Sequence, residues 1–325
     1  MTDRSNTDKP TVIITKAADY QCQNIARAVQ KQLTLLNAGD LIKTGDSVLL
    51  KPNFIAPKDS ASAAVTDPAV ILEVAKAVID LGARPFVADS PAWSDMAKCV
   101  RVLELEEPLK KLGVPFKQLN KPKRCRIAGS SIGISTVAME ADRIINLPKL
   151  KSHQQVVATI AIKNMFGCVP GKEKPFWHFA KGANRHNFCR MLIEIYKYVK
   201  PVFTIVDGVL AMEGAGPING TPRTLGFLAG SLDPIACEAA CCKLIDLDPK
   251  ELPIIQTAEA IGFGCADISK IDIIGDDYTE LICKDFDIPE LVPLRFSLPR
   301  ICKSIAKQFA LTAGSFLSRK KNSSH

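Results

Sequence analysis

No stretch of this 325-residue chain approaches the roughly 20 apolar residues needed for a membrane-spanning helix. Its opening, MTDRSNTDKP, is too polar for a secretory leader, so the expected location is the cytoplasm. The 11 cysteines are odd in number and include no CxxC pair, which argues against a disulfide framework and against a thiolate cluster. Cys237, Cys241 and Cys242 are read as small buried side chains, although Cys237 and Cys241 stand four apart on an expected helix. No GxGxxG follows the first apolar run, and GCVPGKEKP lacks the spacing and terminal Ser or Thr of a P-loop. Dinucleotide and nucleoside triphosphate binding are therefore disfavoured. Aromatics reach only 6% and are not interleaved with a basic face, which excludes the usual nucleic-acid surface.

What is present alternates between strand and helix. TVIIT (Thr11 to Thr15) reads as a strand and Asp19 to Leu36 as a helix. A strand from Ser47 to Lys51 ends at Pro52. Thr66 or Asp67 caps a helix that opens on Pro68 and stops at Gly82, and RPFVADS follows as the next strand. VPFKQL, RIINLPKL, PVFTIVDG, TLGFLAG and IDIIG read as further strands. Residues 184–199 and a segment opening on Asp233 and Pro234 read as helices. The order predicts an α/β fold, a mainly parallel sheet covered by helices in one lobe or two, over residues 8–290. Residues 291–325 form a separate basic amphipathic tail.

In such a sheet ligands bind beyond the carboxyl ends of the strands. Polar residues that close apolar runs are thus the candidates: Lys51 and Asn53, Asp89, Lys149, Lys151 and His153, and Asp207 with Glu213. The richest segment is 149–182, with six lysines, two of the four histidines, and Asn164 beside Lys163. Clustered ammonium groups depress one another's pKa unless an anion sits among them. They imply a small anionic ligand or a neutral, nucleophilic lysine. A solvated basic face is the other reading, weakened by the apolar VVATIAI run leading directly to Lys163. His153 and His178 could act as an acid/base pair or ligate nickel, zinc or iron, yet no HExxH spacing supports this. In 207–223, Gly214 and Gly216 allow a close backbone approach to phosphate or carboxylate.

The net charge is +8, but seven basic residues and no acidic ones follow Glu290, so residues 1–290 carry only +1. Apolar Ile301, Ile305, Phe309, Ala313, Phe316 and Leu317 recur at helical spacing, with Lys303 and Lys307 off that stripe. A basic helix of this kind can lie on an anionic membrane surface, dock a redox partner, or pack on its own domain.

The blocks VLLKPNF, VTDPAVILEVAKAVIDLGARPFVADSP, INLPKLKSHQQVVATIAIKNMFGCVPGKEKPFWH, VDGVLAMEGAGPINGTP and LAGSLDPIACEAACCKLIDLDP, in that order, resemble the family called domain of unknown function 362, over about residues 12–275. That resemblance implies an α/β domain often followed by a ferredoxin-type iron-sulfur module. Here the module's CxxCxxC is missing, and Glu238 stands where the family usually has Asp. A second resemblance is to the lactate racemase family, which implies a nickel-pincer cofactor on a lysine flanked by histidines. The intervals here are 10 from His153 to Lys163 and 15 from Lys163 to His178.

These features together lead to an expected enzyme for a small anionic, hydroxy-acid-like substrate. Lys163 is the anchor or nucleophile, His153 and His178 the acid/base or metal pair, and Lys149 and Lys151 the anion clamp. Asn53, Asp89, Asp207 and Glu213 form the opposite wall. The alternative expectation is a non-catalytic accessory protein that docks through its tail.

Overall fold

The structure, a computed structural model, describes residues 9–294 except Trp93 and Lys172. The expected basic helix therefore lies outside the described residues. The strands are β1 (Thr11–Lys16), β2 (Ser47–Pro52), β3 (Arg84–Asp89), β4 (Phe116–Gln118), β5 (Pro122–Ile127), β6 (Ser130–Ser135), β7 (Arg143–Leu147), β8 (Lys149–His153), β9 (Val157–Thr159), β10 (Phe203–Glu213), β11 (Thr221–Ser231) and β12 (Asp272–Gly275). One sheet runs β12-β1-β11-β10-β7-β2-β3-β4, with β8 branching from β10 and carrying β9. Strands β5 and β6 form a separate hairpin.

β10, β7, β2, β3 and β4 are parallel, whereas β11 is antiparallel to both its neighbours. The sheet is mostly parallel, as expected, and both faces are covered. Val48 and Leu50 join one apolar cluster and Leu49 the other, because successive side chains of a strand point to opposite faces. Helices Cys22–Leu35, Pro68–Asp80 and Met96–Val102 cover one face. Arg185–Val199, Pro234–Leu244 and Pro253–Ala260 cover the other. This double coverage is why the central strands read as unbroken apolar runs.

Local signals set several boundaries. Asp67 caps its helix by accepting from Ala69 N at 2.8 Å, with Pro68 in the first turn. Asp233 caps Pro234–Leu244 by accepting from Ile235 N and Ala236 N. Thr66 instead ties two strand ends together, its hydroxyl accepting from Asn53 N and donating to Leu147 O.

Two segments depart from expectation. RIINLPKL is split at Pro148 into β7 and β8, both running along β10. Residues 207–213, expected to begin a loop, continue β10, so only 214–220 connect β10 to β11. The polar residues Asp207 and Glu213 disguise this strand, since they find partners within the fold.

Candidate functional site

A row of polar residues crosses the sheet just where parallel strands end. Lys51 of β2 lies opposite Asn146 of β7, which lies opposite Thr204 of β10. All three are fully buried. Asn146 Nδ2 donates to Thr204 Oγ1 (3.1 Å) and to Ala161 O (2.9 Å). The short helix Ala161–Asn164 is thereby pinned over the row, and Asn164 Nδ2 donates to Asn146 Oδ1 (2.8 Å) and Lys51 O (3.1 Å). Its carbonyl oxygen accepts from Asn53 Nδ2 at 2.8 Å.

β8 adds three more groups. Lys149, Lys151 and His153 occupy alternate positions and so share one face of the strand. Lys149 Nζ pairs with Asp207 Oδ2 at 2.9 Å, and its other contact is Tyr20 OH at 2.5 Å. Tyr20 OH in turn donates to Asp207 Oδ1 (2.8 Å), and Asp67 N donates to Asp207 Oδ2 (3.0 Å). Burial, reinforced by the Asp207 charge, raises the pKa of both Tyr20 and Asp67. Lys51 Nζ pairs with Asp89 Oδ1 at 2.8 Å, while Asp89 also accepts from Phe54 N and Ser90 N. Gly167 is obligatory beside this pair: a Cβ there would stand 2.4 Å from Lys51 Cε and 2.5 Å from Asp89 Oδ1.

The remaining lysines have no carboxylate of their own. Lys151 Nζ donates only to neutral oxygens, Asn53 Oδ1 and Ala64 O, each at 2.7 Å. Lys174, near the start of helix Lys174–Lys181, donates to Ser90 O. Lys163 has neither an acceptor nor a counter-ion among the described residues, and its side chain keeps a path to solvent through otherwise dense surroundings. Burial, then the charge of Lys174, lowers Lys163 to about 8. Lys174 also falls to about 8, through burial that outweighs the nearby Asp89. Burial, together with Lys163 and Lys149, holds Lys151 well below the usual lysine range.

Both candidate histidines are buried and face this excess of positive charge. His153 Nδ1 accepts from Gln155 N at 3.1 Å, so the ring proton sits on Nε2. Burial and then Lys163 lower its pKa. His178 packs 4.6 Å from the Phe188 ring centroid and bonds the Leu294 backbone. Burial, then Lys163 and Lys174, takes it down to about 3. Both imidazoles are neutral at physiological pH. Among the described residues no three His, Cys, Asp or Glu side chains are grouped to hold a metal ion. His153 and His178 thus belong to no such group among the described residues.

Three expected positions lie elsewhere or are already engaged. Glu213 interacts with Arg223 (3.8 Å) and Asp287 N (3.2 Å), sharing no partner with the lysines. The N–H groups of Gly214 and Gly216 donate to Asp287 O (2.8 Å) and Gly214 O (2.7 Å), leaving neither for an anion. The close approach that Gly216 permits is to β8 itself, where a Cβ would stand 2.1 Å from Ser152 O. Cys237, Cys241 and Cys242 are fully buried thiols. Two surface depressions of about 410 and 430 Å³ are lined by other residues.

The family model described as domain of unknown function (DUF362) matches residues 48–243, a span running from β2 to helix Pro234–Leu244. This chain belongs to the DUF362 family. A thylakoid-associated protein of Synechocystis sp. is 34% identical over 303 residues, covering 92% of this chain and 94% of that protein. The lactate racemase apoprotein from Thermoanaerobacterium thermosaccharolyticum superposes with a TM-score of 0.47 and 11% identity. The alignment covers 72% of this chain but only 57% of the racemase. A similarity at that level carries no chemistry. No described helix is long and apolar enough to cross a membrane.

Some members of this buried centre are not singled out by sequence reasoning. Tyr20 and Asp67 sit in loops distant in sequence from Lys149, and Lys174 is one lysine of many. Glu238 is noted in the sequence as the carboxylate inside the apolar PIACEAACC run, but its contact with the Lys163 helix is not. It is fully buried, and its Oε1 accepts from Ile162 N (2.8 Å) at the start of the helix that carries Lys163. Oε2 has no hydrogen-bond partner among the described residues, and burial raises the group to about 8, against the pull of the Ile162 N–H. A raised carboxylate pKa costs stability once pH passes the unfolded value, so stability should fall from about pH 4.5 to about 8. Glu238→Gln keeps the hydrogen bond without the ionisation. It should leave stability nearly unchanged near pH 4.5 and raise it by about 4 kcal/mol near pH 7.5, read by urea unfolding. A variant with the wild-type pH dependence would show that Glu238 ionises freely in the folded protein.

Proposed function

We propose that this protein is an enzyme that binds a small carboxylate-bearing, hydroxy-acid-like molecule among Lys151, Lys163 and Lys174. Lys163 is its amine base or nucleophile. One observation carries this reading: the buried or half-buried ammonium groups of Lys151 and Lys174 each feel the charge of Lys163 or act on it, none of the three is paired with a carboxylate among the described residues, and Lys163 has neither a hydrogen bond nor a salt bridge among them. An anion bound there would replace the missing counter-charge. An amine near pKa 8 is also partly neutral at physiological pH, as a base or nucleophile requires. Neutral His153 and His178 suit hydrogen bonding or ligation better than carrying charge. Lys51 and Lys149, already paired with Asp89 and Asp207, position the wall of the site.

Thermal unfolding in the presence of lactate, malate or phosphate, against chloride at equal ionic strength, tests the reading. At least one anion should raise the midpoint, and Lys163→Ala should remove most of that shift. If no anion stabilises the wild type, or the variant responds equally, the site is not an anion site. Intact mass and metal content of protein from its own host would show whether Lys163 carries an adduct and whether nickel, zinc or iron is present. The name of the Synechocystis relative favours a second reading, a membrane-associated accessory role that uses the same site for binding alone. Turnover of a hydroxy acid by the wild type separates the two.

A further inference from the structure

The β5–β6 hairpin stands apart from the sheet and contributes no side chain to the lysine centre. Over residues 117–126, KQLNKPKRCR, the end of β4 and the start of the hairpin gather five basic residues and no acidic one, although the whole of residues 1–290 carries only +1. Along β5, Cys125 and Ile127 are buried, alternation places Arg124 and Arg126 on the opposite, exposed side, and Lys123, together with Lys121 just before the strand, is also exposed.

Two of the largest exposed apolar side chains are linked to this hairpin. Phe176 is 57% exposed, and its ring meets Trp177 at 4.9 Å. Trp177 Nε1 donates to Glu173, which also receives Arg124 at 2.9 Å and Gly133 N at 3.2 Å, so the exposed ring is tied to the hairpin. Tyr198 is 42% exposed, and its hydroxyl bonds the Cys125 thiol of β5. At the turn, Ala128 and Gly129 line the depression of about 430 Å³ together with Lys181, Arg190 and one carboxylate, Glu194.

We infer that this face docks an anionic lipid bilayer, with Lys121, Lys123 and Arg126 on the headgroups and Phe176 and Tyr198 at the interfacial level. Lysine is depleted at protein–protein interfaces, whereas basic clusters beside exposed aromatics suit the charged, amphipathic boundary of a membrane. Arg124 is committed to Glu173 and acts as the brace between the hairpin and helix Lys174–Lys181. Docking through this face requires neither a ligand in the lysine centre nor the segment after residue 294.

Flotation of the full chain with vesicles tests it. The wild type should bind phosphatidylcholine vesicles containing phosphatidylglycerol, fail to bind pure phosphatidylcholine, and be released by salt. Each basic residue near such a surface contributes about fivefold, so the triple variant Lys121→Glu, Lys123→Glu, Arg126→Glu should lose at least about 100-fold in partitioning. Phe176→Ser should lose several-fold while keeping the salt dependence. These side chains are exposed, and unchanged thermal midpoints would show that the variants fold. Wild type that ignores vesicle charge, as a surface meant for an acidic protein would, overturns the inference. Full binding by the triple variant overturns it as well.

Discussion

Lys163→Met should make the ligand-free protein more stable near pH 7, by about 1–3 kcal/mol once the remaining solvent contact of the side chain is allowed for. Substitutions in a working protein mostly destabilise, so the sign itself is informative. The reason is linkage. Lys163 titrates at about 8 in the folded protein against 10.5 for an ordinary lysine. The folded state thus binds fewer protons between those values, and the cost of charging the group is fully present below pH 8. Raising the pH through that window removes the cost, so wild-type stability gains a rising contribution that the variant lacks. Urea unfolding of both proteins near pH 7 and near pH 10 measures the difference. Parallel curves would mean that the ammonium is compensated in solution and that the site holds no uncompensated charge for an anion to meet. A bound anion should have the same effect as high pH, which links this measurement to the proposed activity.

The opposite sign is expected at Asp89. Asp89→Ala removes the counter-ion of Lys51 and the acceptor of two backbone N–H groups, Phe54 and Ser90, from a place with almost no water. Removing one partner of a buried ion pair strands the other, a loss of about 3–5 kcal/mol. The surroundings cannot collapse to help, since Gly167 already packs against both charged groups. Lys51→Met should cost less, because Asp89 keeps both backbone donors. A double-mutant cycle on these two positions isolates their coupling. A loss below about 1 kcal/mol for Asp89→Ala would show that the pair is hydrated and only loosely formed.

Much of the frame is legible in the sequence because its causes are local. Pro68 after Asp67, and Pro234 after Asp233, mark helix starts through a fixed φ and a capping carboxylate. The apolar runs around Val48, Ile144 and Ile205 mark strands covered on both faces. The same local logic fails where polar residues belong to buried networks. Asp207 reads as the end of a strand, but Lys149, Tyr20 and Asp67 N satisfy it in the middle of one. The hairpin β5–β6 escapes a reading of the sequence because its β-branched content is low and its exposed face is nearly all cationic.

The chain alone determined the layered α/β architecture and the concentration of lysine and histidine in 149–178, since periodicity, caps and composition are properties of neighbours in sequence. Only the tertiary structure decided which lysines are neutralised. Lys51 and Lys149 meet Asp89 and Asp207 from other strands, while Lys151, Lys163 and Lys174 form no ion pair among the described residues. The worth of a charge depends on what lies within a few ångströms and on how much water is excluded, and both are set by segments far apart along the chain.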